Sequence, residues 1–128
     1  MIYRLKGENV EIMVDVIKKD YVAVITGAGA GIGATAAKHF SDAGMRLVLV
    51  DTNLKYLKQV AHTLSTEYRL IEGSVADAIT IQKMYDVAFE AFGQVNLLFN
   101  NAGISIPTSP WDQLDNWSDM MEVNFFLY

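Results

Sequence analysis

Between Tyr21 and Phe99 the chain alternates two hydrophobic rhythms. Short contiguous runs rich in β-branched residues, Val22-Ala23-Val24-Ile25 and Leu47-Val48-Leu49-Val50, lack polar alternation. That is the pattern of strands buried on both faces of a parallel sheet. Between the runs, apolar residues recur every three or four positions, the spacing of one helix face. The predicted order is strand 21–26, helix 32–43, strand 46–51, helix 53–66, strand 68–71, helix 77–92, strand 95–99 and a last helix from Trp111 onward. Ile32, Ala36, Phe40 and Ala43 are expected to face inward on the first helix, Leu54, Leu57, Ala61 and Leu64 on the second, and Ile81, Met84, Ala88 and Ala91 on the third. Asn53 is placed to cap the second helix. Gly44 and Gly93 are placed to stop the first and third, and Ser109-Pro110 reads as a cap followed by a first-turn proline. Buried strands alternating with amphipathic helices define an α/β fold with a parallel sheet and right-handed crossovers.

Both ends depart from this regularity. Val10, Ile12, Val14 and Val16 alternate with Glu11, Met13 and Asp15, which predicts a strand after a turn at Lys6-Gly7-Glu8-Asn9. A short helix fits nearly as well, because short apolar runs are ambiguous. At the other end the last helix runs into Val123-Asn124-Phe125-Phe126-Leu127-Tyr128, apolar and without a glycine, proline or basic last turn. The expectation is a chain cut inside a helix.

Composition narrows the function classes. The 128 residues fit one domain able to bury about two thirds of its unfolded surface. A net charge of −5 argues against nucleic-acid binding, which needs clustered Lys and Arg. Without cysteine there is no disulfide framework or thiolate metal site, and His39 and His62 have no second ligand at metal spacing, so no metal is expected. No apolar run is long enough to span a bilayer, and Arg4, Lys6, Glu8, Glu11 and Asp15 interrupt any signal-peptide core, so no membrane partner and a cytoplasmic location are expected.

The candidate chemistry lies where the first strand meets the first helix, in Thr26-Gly27-Ala28-Gly29-Ala30-Gly31-Ile32-Gly33. A glycine turn opening a helix presents unpaired N–H groups and the positive end of the helix dipole to a phosphate. A P-loop would end in Gly-Lys-Ser/Thr, whereas Gly33 is followed by Ala34 and Thr35. Gly27, Gly29 and Gly31 also spell the Gly-x-Gly-x-Gly of a methyltransferase-like turn, which leaves that reading open. Asp51 ends the second strand about twenty residues beyond the turn, where a carboxylate accepts hydrogen bonds from ribose hydroxyls. It would repel a 2′-phosphate, and Ala30 offers no compensating charge, so NAD is favoured over NADP.

The glycine stretch, together with Asn100-Asn101-Ala102-Gly103 directly after the fourth strand, resembles the short-chain dehydrogenase/reductase family. The resemblance covers residues 21–128. It implies a Rossmann-type doubly wound parallel sheet, of which the chain holds the first four strands and helices only. It also divides the chain into an unassigned extension, 1–20, and an NAD(P)-binding Rossmann domain, 21–128, incomplete at its C-terminus. By resemblance Gly27, Gly31, Ile32 and Gly33 line the pyrophosphate and Asp51 binds the adenosine ribose. Asn101, Ala102 and Gly103 border the cofactor, while Asn100 helps to hold the sheet. Where the family shows Asp-Val before the third helix, contacting adenine, this chain has Ser74-Val75. The backbone contact from Val75 carries over. Ser74, in place of the acidic residue, keeps a hydroxyl that can still donate or accept toward the adenine, so both are candidate cofactor-binding residues. Asn124 matches the helix-four asparagine of the family's catalytic tetrad, which holds a water in a proton relay.

The remaining tetrad members, a serine and Tyr-x-x-x-Lys, are not found. Tyr3, Tyr21, Tyr56, Tyr68 and Tyr85 all lack a lysine four positions on, and Tyr128 ends the sequence. The resemblance thus implies an NAD-dependent oxidoreductase exchanging hydride between nicotinamide and an alcohol or carbonyl, present as a cofactor-binding piece that is inactive alone. The alternatives are a non-catalytic NAD-binding module and, behind it, a methyltransferase. A homo-oligomer is implied for the complete protein, with Trp111 and Trp117 as core or interface anchors.

Overall fold

The computed structural model describes residues 2–4, 11–13, 15–105 and 114–124. Near the N-terminus, β1 (Ile2–Arg4) and β2 (Glu11–Met13) pair antiparallel, with Tyr3 opposite Ile12. The strand expected around Ile12 is therefore present and has a partner. The turn expected at Lys6 to Asn9 lies outside the described residues.

The main sheet contains β3 (Val22–Thr26), β4 (Arg46–Asp51), β5 (Tyr68–Glu72) and β6 (Leu97–Phe99), all parallel, in the order β5-β4-β3-β6. The helices α1 (Gly31–Asp42), α2 (Leu54–Ala61) and α3 (Ala78–Phe92) link successive strands, and α4 (Leu114–Asn124) follows β6. The chain steps outward from β3 to β5, then returns through α3 to set β6 on the other side of β3. This reversal of strand order places a topological switch point at the carboxyl end of β3, where open α/β sheets form their ligand crevice.

Successive residues of β3 and β4 point to opposite faces. Ala23, Ile25, Leu47 and Leu49 pack with Ala37 of α1 and Leu57 and Val60 of α2. Val22, Val24, Val48 and Val50 pack with Met84, Ala88 and Phe92 of α3. Every residue of β3 is buried, which explains its unbroken apolar run.

Several elements differ from their predicted form. On α1 the buried stripe is Gly33, Ala37 and Ser41, whereas Ile32 is 73% exposed. Apolar periodicity tracks hydrophobicity, but Gly33 is buried against Gly27 and Asn101 where no side chain fits. Ala37 packs on the core strands, and Ser41 is buried where it bonds to Ser65 and Thr66. The second helix stops at Ala61 rather than Thr66. Ser41 Oγ accepts the N–H groups of Ser65 and Thr66, and Thr63 Oγ donates to the Val60 carbonyl, which draws the chain off the helical path. Leu64 still packs on the core. Asn53 does cap α2, accepting from the Tyr56 N–H at 3.1 Å. On α3 the buried stripe is Thr80, Met84, Ala88 and Phe92, with Ile81 and Ala91 partly buried beside it, and Gly93 ends the helix at φ 71°. The last strand starts at Leu97 because Asn96 bonds to Val22 partly through its side-chain oxygen, replacing a ladder contact. The predicted Ser109-Pro110 cap, Trp111 and the final residues 125–128 lie outside the described residues.

Candidate functional site

The carboxyl ends of the four parallel strands bring most of the sequence-predicted site residues to one edge. Thr26 ends β3, and Gly27 turns the chain at φ 63°, a left-handed conformation that costs other residues about 1–2 kcal/mol. The turn then lies across the end of β4. Ala28 N–H donates to the Val50 carbonyl at 3.1 Å, and Gly29 N–H donates to Asp51 Oδ2 at 2.9 Å. Gly31, at φ 55°, opens α1. Ala30 occupies the N-cap with extended backbone and supplies no capping side chain, so among the described residues the first-turn N–H groups of α1 are left without a side-chain acceptor.

Gly33 is fixed by space rather than by its dihedrals. A Cβ there would collide with the Gly27 carbonyl oxygen and sit 2.6 Å from Asn101 Nδ2. The first turn of α1 is thereby seated on Gly27 and Asn101. Gly31 and Ile32 are exposed above it.

The segment after β6 is stitched to β3 by polar contacts that bypass the sheet ladder. Thr26, 2% exposed, accepts the N–H groups of Asn101 and Ala102 on its hydroxyl oxygen at 3.1 and 3.0 Å. Asn101 Nδ2 donates to the carbonyls of Thr26 at 3.2 Å and Gly27 at 3.1 Å. The sheet-holding role expected of Asn100 therefore falls to Asn101, while Asn100 is exposed. The chain leaves β6 with Asn101 aimed back at β3.

Gly27, Asp51, Ser74, Val75, Ala102 and Gly103 line one cleft together with Val50, Thr52, Gly73, Ile104 and Val123. Asp51 is the only charged group among these described lining residues. Its Oδ1 accepts the Asn53 N–H at 3.0 Å while Oδ2 holds Gly29. Ser74 Oγ is engaged locally, accepting the Ala76 N–H at 3.1 Å, and Val75 is buried. Asn124 stands next to the lining residue Val123 without itself lining the cleft, and it bonds to the backbone of Ile104, which does line it. Its Oδ1 accepts the Ile104 N–H at 2.9 Å and its Nδ2 donates to the Ile104 carbonyl at 3.0 Å. A Cβ on Gly103 would lie 3.2 Å from Asn124 Oδ1, so glycine leaves room for that grip.

Thr26 and Gly29 stand in the sequence motif without a role of their own, and Ile104 stands outside every motif. A lone hydroxyl at the end of an otherwise apolar strand was the available signal for Thr26. Ile104 had none, because it acts through its peptide group alone.

A parallel sheet with a glycine turn at its switch point and helices on both faces defines a Rossmann-type fold. Residues 21–128 match the family model described as short chain dehydrogenase, and the chain belongs to that family. An uncharacterized oxidoreductase of Staphylococcus epidermidis is 34% identical over 107 residues, covering 83% of this chain and 46% of that protein. A short chain dehydrogenase/reductase from Burkholderia phymatum, solved in complex with NAD, superposes with a TM-score of 0.82 at 35% identity, over 88% of this chain and 41% of that one. A metagenomic short-chain oxidoreductase in complex with NADP superposes at 0.78 with 26% identity, over 84% of this chain and 51% of that one. The chain thus spans about half the length of the relatives it matches. No helix among the described residues is long and apolar enough to cross a membrane.

Proposed function

We propose that this chain is the cofactor-binding part of an NAD-dependent oxidoreductase that interconverts an alcohol and a carbonyl compound. The site fits a dinucleotide on three observations: a glycine turn too crowded for side chains at Gly27, Gly29 and Gly33, an α1 start without a side-chain cap, and a carboxylate at the end of β4. Gly27, Gly31, Ile32 and Gly33 would hold the pyrophosphate, with backbone N–H groups and the helix dipole offsetting its charge. Asp51 would accept the ribose hydroxyls, and Ser74 and Val75 would border the adenine. Asn101, Ala102 and Gly103 would border the part of the cofactor nearer β6.

The choice of NAD rests on Asp51. Solved relatives include one complex with NAD and one with NADP, so the preference must come from this chain's own residues. Among the described residues no cationic side chain lines the cleft beside Asp51, and a 2′-phosphate there would meet a carboxylate. When bound, the cofactor supplies hydride exchange at its nicotinamide ring. Asn124 would act on the other side of the site, fixing the Ile104 peptide so that a relayed proton meets groups in set positions.

Because no tyrosine in the sequence has a lysine four positions on, the chain itself supplies no activated general acid of the family type. It is expected to bind without turning over. The whole protein would take a small alcohol or carbonyl substrate and assemble as a homo-oligomer. Calorimetric titration with NADH and NADPH tests the reading. NADH should bind at least ten-fold more tightly. Equal or tighter NADPH binding overturns the NAD assignment, and saturable S-adenosylmethionine binding without NADH binding overturns the class.

A further inference from the structure

Asp51 does more in this structure than wait for a ribose. Along the β3–β4 ladder the last backbone contact is Thr26 opposite Val50, and the turn adds one more when Ala28 N–H donates to the Val50 carbonyl. The next donor, Gly29 N–H, bonds to the Asp51 carboxylate instead of a backbone carbonyl, at 2.9 Å. The Asp51 carbonyl is itself taken by the Gly73 N–H of the neighbouring strand's exit at 3.0 Å. The side chain therefore continues the ladder past the point where the backbone can.

The second carboxylate oxygen binds the Asn53 N–H at 3.0 Å, which fixes the rotamer and ties the group to the start of α2. Gly29 shows the complementary constraint. A Cβ there would fall 2.9 Å from Asp51 Oδ2 and 3.0 Å from Tyr56 Cβ, although its φ lies outside the left-handed region. Glycine at 29 is thus demanded by the carboxylate and by Tyr56, not by the dihedrals of the turn.

We infer that Asp51 is a positioning residue that sets the shape of the glycine turn before any nucleotide arrives, and that its carboxylate is then shared between the Gly29 amide and the ribose. The inference rests on the NAD reading only for the ribose. An ionised carboxylate offers about four acceptor sites. The two bonds seen leave capacity for ribose hydroxyls without releasing the turn. It follows that exchanging Asp51 to admit a 2′-phosphate slackens the pyrophosphate turn and weakens both coenzymes.

Two measurements on the full chain test this. The first is amide hydrogen exchange by NMR in the nucleotide-free protein, where Gly29 should exchange at least ten-fold more slowly than Ala30. In Asp51→Ala that difference should vanish, and in Asp51→Asn, which keeps the shape and one acceptor, it should shrink. The second compares ADP with 2′,3′-dideoxy-ADP, a probe that carries the diphosphate but no ribose hydroxyl. Asp51→Ala should weaken the dideoxy probe at least five-fold as well as weakening ADP. Unchanged Gly29 exchange together with an unchanged dideoxy affinity would reduce Asp51 to a ribose ligand and overturn the inference. If the unaltered chain bound neither nucleotide, the cofactor reading would fall, while Gly29 exchange would still judge the positioning role.

Discussion

The starts of α1 and α2 lie at the same edge of the same sheet, yet they are finished in opposite ways. Helix α2 opens on Asn53, whose side chain accepts the Tyr56 N–H, and Asp51 accepts the Asn53 N–H just before it. Helix α1 opens on Ala30, whose backbone has the extended geometry of an N-cap but whose side chain caps nothing. Capping satisfies donors that would otherwise call for water or a ligand. The chain closes that demand at α2 and leaves it open at α1, where Gly27, Gly29 and Gly33 also keep side chains out of the way. The contrast separates a helix start that serves the fold from one that is kept available.

The largest expected break in this contrast is Gly33→Val. The added side chain collides with the Gly27 carbonyl and Asn101, lifts α1 off its seat and should cost about 3 kcal/mol as overpacking. Urea denaturation should show the loss, and NADH titration should show no saturable binding. A variant of normal stability that still binds would mean that α1 is not seated as described.

Asn101→Leu comes next. It removes both Nδ2 donors and leaves the Thr26 and Gly27 carbonyls short of partners, at a cost of about 2 kcal/mol. The same change at Asn100, whose side chain is exposed, should cost far less, and comparison of the two denaturation midpoints checks the assignment directly.

Ala30→Asp sharpens the contrast, because it installs the missing cap. It should stabilise the protein by about 1 kcal/mol through capping and the helix dipole. It should also weaken NADH at least ten-fold, since the carboxylate would occupy the phosphate's position. If stability and affinity rose together, the open start of α1 would have no bearing on binding.

The smallest effect belongs to Asn53→Ala, which strips the cap of α2 at a cost of about 1 kcal/mol. Because that cap serves the fold, a thermal melt should move while NADH affinity stays within two-fold of the original.

Much of this was legible in the sequence, and the reason is local. Buried parallel strands need contiguous apolar runs, so β3 and β4 announced themselves. A glycine-rich turn between strand and helix is a short-range feature, and so is a carboxylate at a strand end. These determined the fold class, the glycine turn, the Asn53 cap and the place of Asp51 at the end of the second strand. The family resemblance followed from two short segments, Thr26 to Gly33 and Asn100 to Gly103.

Tertiary structure decided what the side chains do there. Asn101 rather than Asn100 holds β3 because the register between β3 and β6, elements some 75 residues apart in sequence, sets which amide points back at Thr26. The inner face of α1 is Gly33, Ala37 and Ser41 because Gly33 sits against the Gly27 carbonyl, Ala37 packs on β3 and β4, and Ser41 meets the chain after α2. Hydrophobic periodicity does not contain such contacts. Asn124 finds Ile104 through a peptide group that any residue would present. Likewise, Asp51 reaches the Gly29 amide only because pairing of β3 with β4 lays the turn across the end of that strand. Residue type and spacing named the components of the site; packing between distant segments chose their partners.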